Sequence, residues 1–120
     1  NDPIALNNLA YALAVHQQKA AEALPLAEQA MRVTGGRSVE IADTYAWVLH
    51  LVGRDKEAAD VLSRIVAVVQ DRALLRLHAA VVFAAVDKTA EAAVELKEAL
   101  RLDPSLEQTD EVRALRAKLK

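Results

Sequence analysis

The chain has 120 residues, of which 53% are hydrophobic and only 3% aromatic, and its formal net charge is −2. This length suits one domain with its own core. The nearly balanced charge excludes a strong electrostatic attraction to nucleic acid or to acidic membranes. The absence of cysteine excludes disulfides, thiolate chemistry and cysteine-based zinc sites. Because no apolar run is long enough to span a bilayer, we expect no membrane insertion by this segment. The balanced charge predicts no nucleic-acid partner.

Apolar residues recur at helical spacing along the chain, and the stretches between them carry typical caps and turns. Asp2-Pro3 opens the first helix, because Asp is a good N-cap and Pro fits the first helical position. Ser38, Asp55 and Thr89 are the predicted caps of the third, fourth and sixth helices. The predicted helices cover residues 3–16, 20–33, 39–51, 56–69, 71–86, 90–102 and 108–119.

A short pattern returns along the sequence at near-constant spacing. Glu22-Ala23, Glu57-Ala58 and Glu91-Ala92 each follow a predicted turn, and the alanines lie 35 (58 − 23) and 34 (92 − 58) residues apart. A period near 34 with two helices per unit is typical of tetratricopeptide arrays, and the residues around it resemble that family. The third unit carries the family's pattern of large and small residues at Ala79, Ala80, Phe83, Ala92, Leu96, Ala99 and Asp103-Pro104.

The first two units follow the same pattern less regularly. The second unit has Tyr45, Ala46, Leu49, Ala58 and Leu62 in place. It departs at Ile65, where a small residue is usual. With the 35-residue spacing, Tyr11 of the first unit also falls in a small-residue position. We assign the single extra residue of that spacing to the loop at residues 34–37.

The resemblance implies an all-α fold, a right-handed superhelical stack of three helix hairpins in a single domain, 1–120. The repeats would cover residues 4–37, 38–71 and 72–105, and a capping helix, 108–119, would cover the apolar side of the sixth helix, including Val94. Since the sequence starts inside the repeat pattern, we interpret it as the C-terminal part of a longer bacterial array, in the cytoplasm or the periplasm.

Catalytic chemistry is not predicted for this chain. The three histidines, His16, His50 and His78, lie on separate predicted helices, whereas a metal site needs three or four converging ligands. Glu95 and Glu98 indicate a solvated helix face. No phosphate-binding loop, nucleophile elbow or HExxH motif occurs. We therefore expect no enzyme activity and no cofactor.

A binding surface is the favoured hypothesis. In tetratricopeptide arrays the first helices of the repeats line a concave groove, and the resemblance implies that this groove holds Asn8, Ala12, His16, Asp43, Trp47, His50, Leu77 and Val81. Trp47 should be partly exposed there as an anchor for a ligand. The alternative for Trp47 is that it packs between neighbouring units. The residues needed to clamp a chaperone's C-terminal carboxylate are missing, with Ala12, Thr44, Leu74 and His78 in their places.

Two functions follow from these patterns. The first is a protein-interaction scaffold that binds a peptide or helix in the groove. The second is a structural spacer or self-associating segment of a longer array in a bacterial envelope or polysaccharide-export assembly. The phrases Asn-Asn-Leu-Ala-Tyr and Thr-Tyr-Ala-Trp-Val-Leu resemble multi-repeat proteins of the exosortase-associated export systems.

Overall fold

The computed structural model describes residues 2–120. Over this range the chain forms seven α-helices and no strand, which confirms the all-α prediction. A π-helical segment, Ala12–His16, follows the first helix, and a 3-10 turn, Pro104–Gln108, precedes the last. The α-helices are α1 (Pro3–Tyr11), α2 (Ala20–Thr34), α3 (Val39–Leu51), α4 (Asp55–Val66), α5 (Ala73–Ala85), α6 (Thr89–Leu102) and α7 (Asp110–Leu119).

Side-chain caps fix the start of three helices. The Ile4 N–H donates to Asp2 Oδ1 at 3.0 Å, and Pro3 occupies the first turn, as predicted. Ser38 Oγ accepts from the third residue of α3 at 3.3 Å. Thr109 does the same for α7, also at 3.3 Å. Each bond satisfies a backbone donor that has no partner within the helix. The prediction for Thr89 was wrong, because it is the first residue of α6 and the preceding lysine makes no side-chain cap.

Three turns that join first and second helices each contain a residue in the left-handed backbone region. These residues are Gln18 (φ 54°), Gly53 (φ 87°) and Asp87 (φ 65°). They lie 35 (53 − 18) and 34 (87 − 53) residues apart, the same spacings as the alanine pattern. The Arg54 N–H donates to the Leu49 carbonyl, and Lys88 donates to Phe83, both at 2.8 Å. A hydrogen bond of this kind closes the C-terminal end of a helix. It requires the residue just before the donor to be in the left-handed region.

The first of these turns is built differently, because its helix is one residue longer. Sixteen residues separate the cap Asp2 from Gln18 (18 − 2), whereas fifteen separate Ser38 from Gly53 (53 − 38). The π-helical segment absorbs the extra residue, since its hydrogen bonds skip one residue more than α-helical bonds do. The Gln17 N–H accordingly donates to the Ala12 carbonyl at 3.1 Å.

The π-helical segment corrects the register of the first repeat. Before it, equivalent positions differ by 36 residues, so Ala10 corresponds to Ala46 (46 − 10), and both side chains are fully buried. Tyr11 therefore does not occupy the small-residue position, and the departure expected there disappears. The 36-residue offset exceeds the 34-residue period by two residues. We assigned one extra residue to the 34–37 loop, and the other lies in the first helix.

The chain divides into two compact units, one ending at Ile65 and the other running from Val66 to Lys120. In the first unit α1, α2 and α3 all contact one another, and α3 packs mainly on α2. Their shared core is small and aliphatic, with Leu24 and Tyr45 packed partly buried against it. The buried members of this core are Ala10, Ala14, Ala23, Ala27 and Val48. Small residues allow helices to approach closely, which suits the alanine-rich contact of α1 with α2.

In the second unit α5, α6 and α7 also contact one another. Val112 and Leu115 of α7 are buried, and α7 packs mainly on α5. The sequence had assigned α7 to the apolar side of α6, including Val94. That assignment was wrong for Val94, whose side chain is 58% exposed. The last helix therefore completes the core of α5 and leaves part of α6 open.

A buried ion pair links α5 to α6. Arg76 Nη1 lies 2.6 Å from Glu95 Oε1, and both side chains are buried. Arg76 also donates to the backbone carbonyl of Gln70 at 3.5 Å. The prediction that Glu95 belongs to a solvated face was therefore wrong. Glu98, one turn later and half-buried, pairs with Arg101 at 3.1 Å.

Candidate functional site

The candidate surface of the first unit lies on α1 and α3, the first helices of two successive hairpins. These helices contact each other, and α2 contacts both of them. This arrangement brings the predicted binding residues of two repeats next to each other within one unit. Asn8 and His16 are exposed there, while Ala12 and Asp43 are half-buried. Four of the predicted residues are thus reachable on neighbouring elements.

Trp47 is less accessible than the sequence suggested. Its side chain is 8% exposed, so the prediction of a partly exposed ring was wrong. The centroid of the indole ring lies 4.9 Å from that of the His50 imidazole, with an interplanar angle of 40°. The indole therefore packs against the histidine ring. A ligand on this surface would touch His50, which is half-buried, before it touched Trp47.

His50 is held from a second side by the first residue of α4. Its Nδ1 lies 2.5 Å from Asp55 Oδ1. An ionised carboxylate only accepts hydrogen bonds, so Nδ1 carries the proton of this bond. In the neutral ring, Nε2 is then the acceptor. The indole and the carboxylate together fix both the orientation and the tautomer of this imidazole.

The corrected register adds two residues that the sequence analysis missed. At the 36-residue offset, Asn7 corresponds to Asp43 (43 − 7) and Tyr11 to Trp47 (47 − 11). Tyr11 is half-buried, and its ring packs edge-on against His16 at 5.9 Å. An aromatic ring next to a histidine therefore occurs on both helices of the surface. The pattern of Ala10, Ala46 and Ala80 was the sequence signal that could have revealed this register.

The two remaining predicted groove residues lie on α5, in the second unit. Leu77 is buried, and Val81 is half-buried. Leu77 is therefore a core residue. Val81 corresponds to Trp47 at the 34-residue offset (81 − 47) and keeps some accessible surface.

A group of charged residues surrounds Tyr45 where α2, α3 and α4 come together. Burial, and then the negative charges of Glu28 and Glu57, raise the pKa of the Tyr45 phenol, while the Arg54 guanidinium opposes them. Arg54 pairs with Glu57 at 2.6 Å. Their hydrogen bond holds the pKa of the Glu57 carboxyl below its ordinary value. The charges of Glu28 on α2 and of Glu57 in the first turn of α4 therefore act in the same direction on the Tyr45 phenol.

A second candidate site is an open cleft between α6 and α7, with a volume of about 500 Å³. This volume falls within the usual range for ligand pockets. Its lining combines an apolar floor with cationic side chains, and it includes Ala93, Leu96, Leu119, Lys97, Arg116 and Lys120. The Arg116 guanidinium makes two hydrogen bonds to Glu107, at 2.9 and 2.5 Å.

Between Asp2 and Lys120 no group of three or more potential metal-ligating side chains converges. Over the same residues, no helix combines the length and apolar character needed to cross a membrane. The chain was also compared with known proteins. No protein-family model matches it, and no curated protein matches it significantly.

Proposed function

We propose that the chain is a protein-interaction scaffold of the tetratricopeptide type, which binds a peptide or a helix along the α1/α3 surface. The proposal includes a right-handed stack of three hairpins, closed by α7, within a bacterial repeat protein. We propose no catalytic role for the chain. Support comes from the left-handed turn residues Gln18, Gly53 and Asp87, whose spacing repeats that of the alanines. A recurring turn of this kind is expected of a helix-hairpin repeat.

The observation that carries the proposal is the contact between α1 and α3, which sets two aromatic–histidine pairs on neighbouring helices. Rigid aromatic groups next to polar groups are common anchors in protein interfaces. Here the rings of Trp47 and Tyr11 would hold His50 and His16 in place, and the histidines would make the polar contacts. A peptide donor such as a backbone N–H could bond to His50 Nε2.

The proposal is tested by selecting peptides from a display library with the purified chain and measuring their affinity for surface variants. His16→Ala and Asn8→Ala change exposed side chains, so the helical circular dichroism and the melting temperature should stay the same. Affinity should fall at least about fivefold for each, which is about 1 kcal/mol. Arg32→Ala, an exposed residue of α2, is the matched control and should leave the affinity unchanged. Equal affinity in all three variants would contradict this surface.

One observation favours the second function, a self-associating spacer. Ile4 and Leu9 of α1 are 67% and 50% exposed, although both are large and apolar. A self-associating surface needs accessible apolar side chains of this size. If self-association is the function, the sedimentation coefficient should rise with protein concentration, and Ile4→Glu with Leu9→Glu should abolish that rise. A concentration-independent monomer would rule this function out for the chain.

A further inference from the structure

Residues that line the cleft between α6 and α7 correspond in sequence to residues in or against the core of the first unit. Lys97 corresponds to Glu28 through the repeat offsets of 35 and 34 residues. Arg116 and Tyr45 each lie seven residues after the cap of their helix (116 − 109 and 45 − 38). By the repeat offsets Leu24 and Ala27 correspond to Ala93 and Leu96. By the distance from the helix cap, Val48 and Tyr45 correspond to Leu119 and Arg116.

The residues at these positions differ in charge between the two units. In the first unit, Tyr45 of α3 packs against the core shared with α2, and α3 packs mainly on α2. In the second unit the two positions carry Lys97, which is exposed, and Arg116, whose guanidinium is paired with Glu107. There α7 packs mainly on α5 and leaves the floor of the cleft open toward α6.

The first unit also shows what lies against this position. The chain continues from α3 into α4, whose first residue, Asp55, places its Oδ1 2.5 Å from His50 Nδ1 of α3. The start of a helix therefore lies against α3. The matching position in the second unit is the cleft, where Lys97 replaces the acidic Glu28.

We propose that the cleft between α6 and α7 binds an acidic amphipathic helix of a partner protein. Leucine-sized side chains of that helix would cover Leu96 and Leu119. Its carboxylates would lie against Lys97 and Lys120. This is the recognition mode in which a helix places its apolar stripe in a groove. The surface is distinct from the α1/α3 surface, so either proposal can fail without the other.

The test uses the whole chain and two synthetic peptides of about 18 residues, long enough to be helical. One has a Leu/Ala stripe with Glu and Gln on its other faces, and the second has Lys in place of every Glu. Fluorescence anisotropy should show the acidic peptide binding at least about tenfold more tightly. Non-specific attraction would favour the basic peptide, because the chain's net charge is −2. The preference should decrease at higher salt.

Charge-reversal variants locate the binding. Lys97→Glu and Lys120→Glu change exposed side chains and should each weaken binding of the acidic peptide about fivefold or more. Lys118→Glu makes the same charge change on α7 outside the cleft lining and is the matched control. Binding that is equal in all variants, or stronger for the basic peptide, overturns the proposal.

Two further measurements separate the alternative occupants. If vesicles containing an anionic phospholipid bind through Lys97 and Lys120 while the acidic peptide does not, the cleft is a membrane-contact site and the proposal is wrong. If the chain dimerises, and Lys97→Glu abolishes dimerisation without affecting the peptide, the occupant is a second copy. Peptide binding that is lost only in the cleft variants supports the proposal.

Discussion

In both units of this chain a third helix packs on a helix hairpin, but it packs mainly on a different helix of the hairpin in each. In both, a helix hairpin contacts a third helix that starts with a Ser or Thr cap. In the first unit that third helix packs on the second helix, with Val48 in the core. In the second unit it packs on the first helix and leaves a cleft. The comparison teaches that a hairpin of this kind can carry a third helix on either of its two helices.

The largest loss of stability should come from breaking the buried ion pair between Arg76 of α5 and Glu95 of α6. At the 34-residue offset, Arg76 and Glu95 correspond to Ala42 and Val61 of the second hairpin. Arg76→Met leaves the Glu95 charge buried without its partner, and should lower the free energy of unfolding by about 3–5 kcal/mol in urea titrations. Replacing both, with Glu95→Leu, should restore most of that loss. A double variant as unstable as the single one would contradict this assignment.

The aromatic positions provide the next comparison. Trp47→Ala should reduce the free energy of unfolding by about 3–5 kcal/mol, because the ring is buried and its removal leaves a cavity. Val81→Ala, at the equivalent position of α5, should cost only about 1 kcal/mol, since that side chain is smaller and half-buried. Thermal unfolding measures both. If Trp47→Ala unfolds at the wild-type temperature, the ring faces a ligand surface and not the core.

Substitutions in the three turns should change the free energy of unfolding by smaller amounts. A Cβ at Gly53 would meet no atom within 4 Å, so the cost of Gly53→Ala, about 1 kcal/mol, comes only from the left-handed backbone. For the same reason Gln18→Gly and Asp87→Gly should each stabilise by about 0.5–1 kcal/mol. Opposite signs in the melting temperatures would confirm that all three turns share one geometry. If Gln18→Gly destabilises, the π-helical segment does not set this turn.

The smallest effect should be a pH-dependent change in melting temperature. The hydrogen bond from Arg116 holds the pKa of the Glu107 carboxyl below its ordinary value, as Arg54 does for Glu57 in the first unit. A carboxyl with a lowered folded-state pKa stabilises above its unfolded pKa of about 4.3, and the contribution is lost as the pH falls through the folded pKa. Glu107→Gln and Glu57→Gln should therefore lower the melting temperature slightly at neutral pH and leave it unchanged below about pH 3. A decrease that persists in acid would point to lost packing.

The helices and their pairing could be read from the sequence because they depend on local patterns. The alanines at 23, 58 and 92 mark where second helices meet first helices, and all three are fully buried. Asp2 and Ser38 were recognisable caps, because a short polar side chain before an apolar run satisfies free N–H groups. Such signals involve residues only a few positions apart.

Features that depend on distant contacts could not be read in this way. Glu95 resembles any surface glutamate until its partner, Arg76, is brought to it from 19 residues away. The periodicity of α3 identifies the stripe that contains Trp47 but not what covers it. The π-helical segment changes the hydrogen-bond pattern of a single turn, and neither composition nor an average period reveals that shift. The register of Asn7 and Tyr11 was missed for this reason.

The distance between α6 and α7 tests most directly our expectation that the positive charge of Lys97 keeps α7 from packing more closely on α6. The chain has no cysteine, so spin labels can be attached through Val94→Cys and Ala117→Cys, both exposed and outside the cleft lining. Electron paramagnetic resonance should give a shorter distance between the labels when Lys97→Glu restores the acid that the first unit has at Glu28. Lys118→Glu should leave the distance unchanged. An unaltered distance in Lys97→Glu would contradict the electrostatic origin of the cleft.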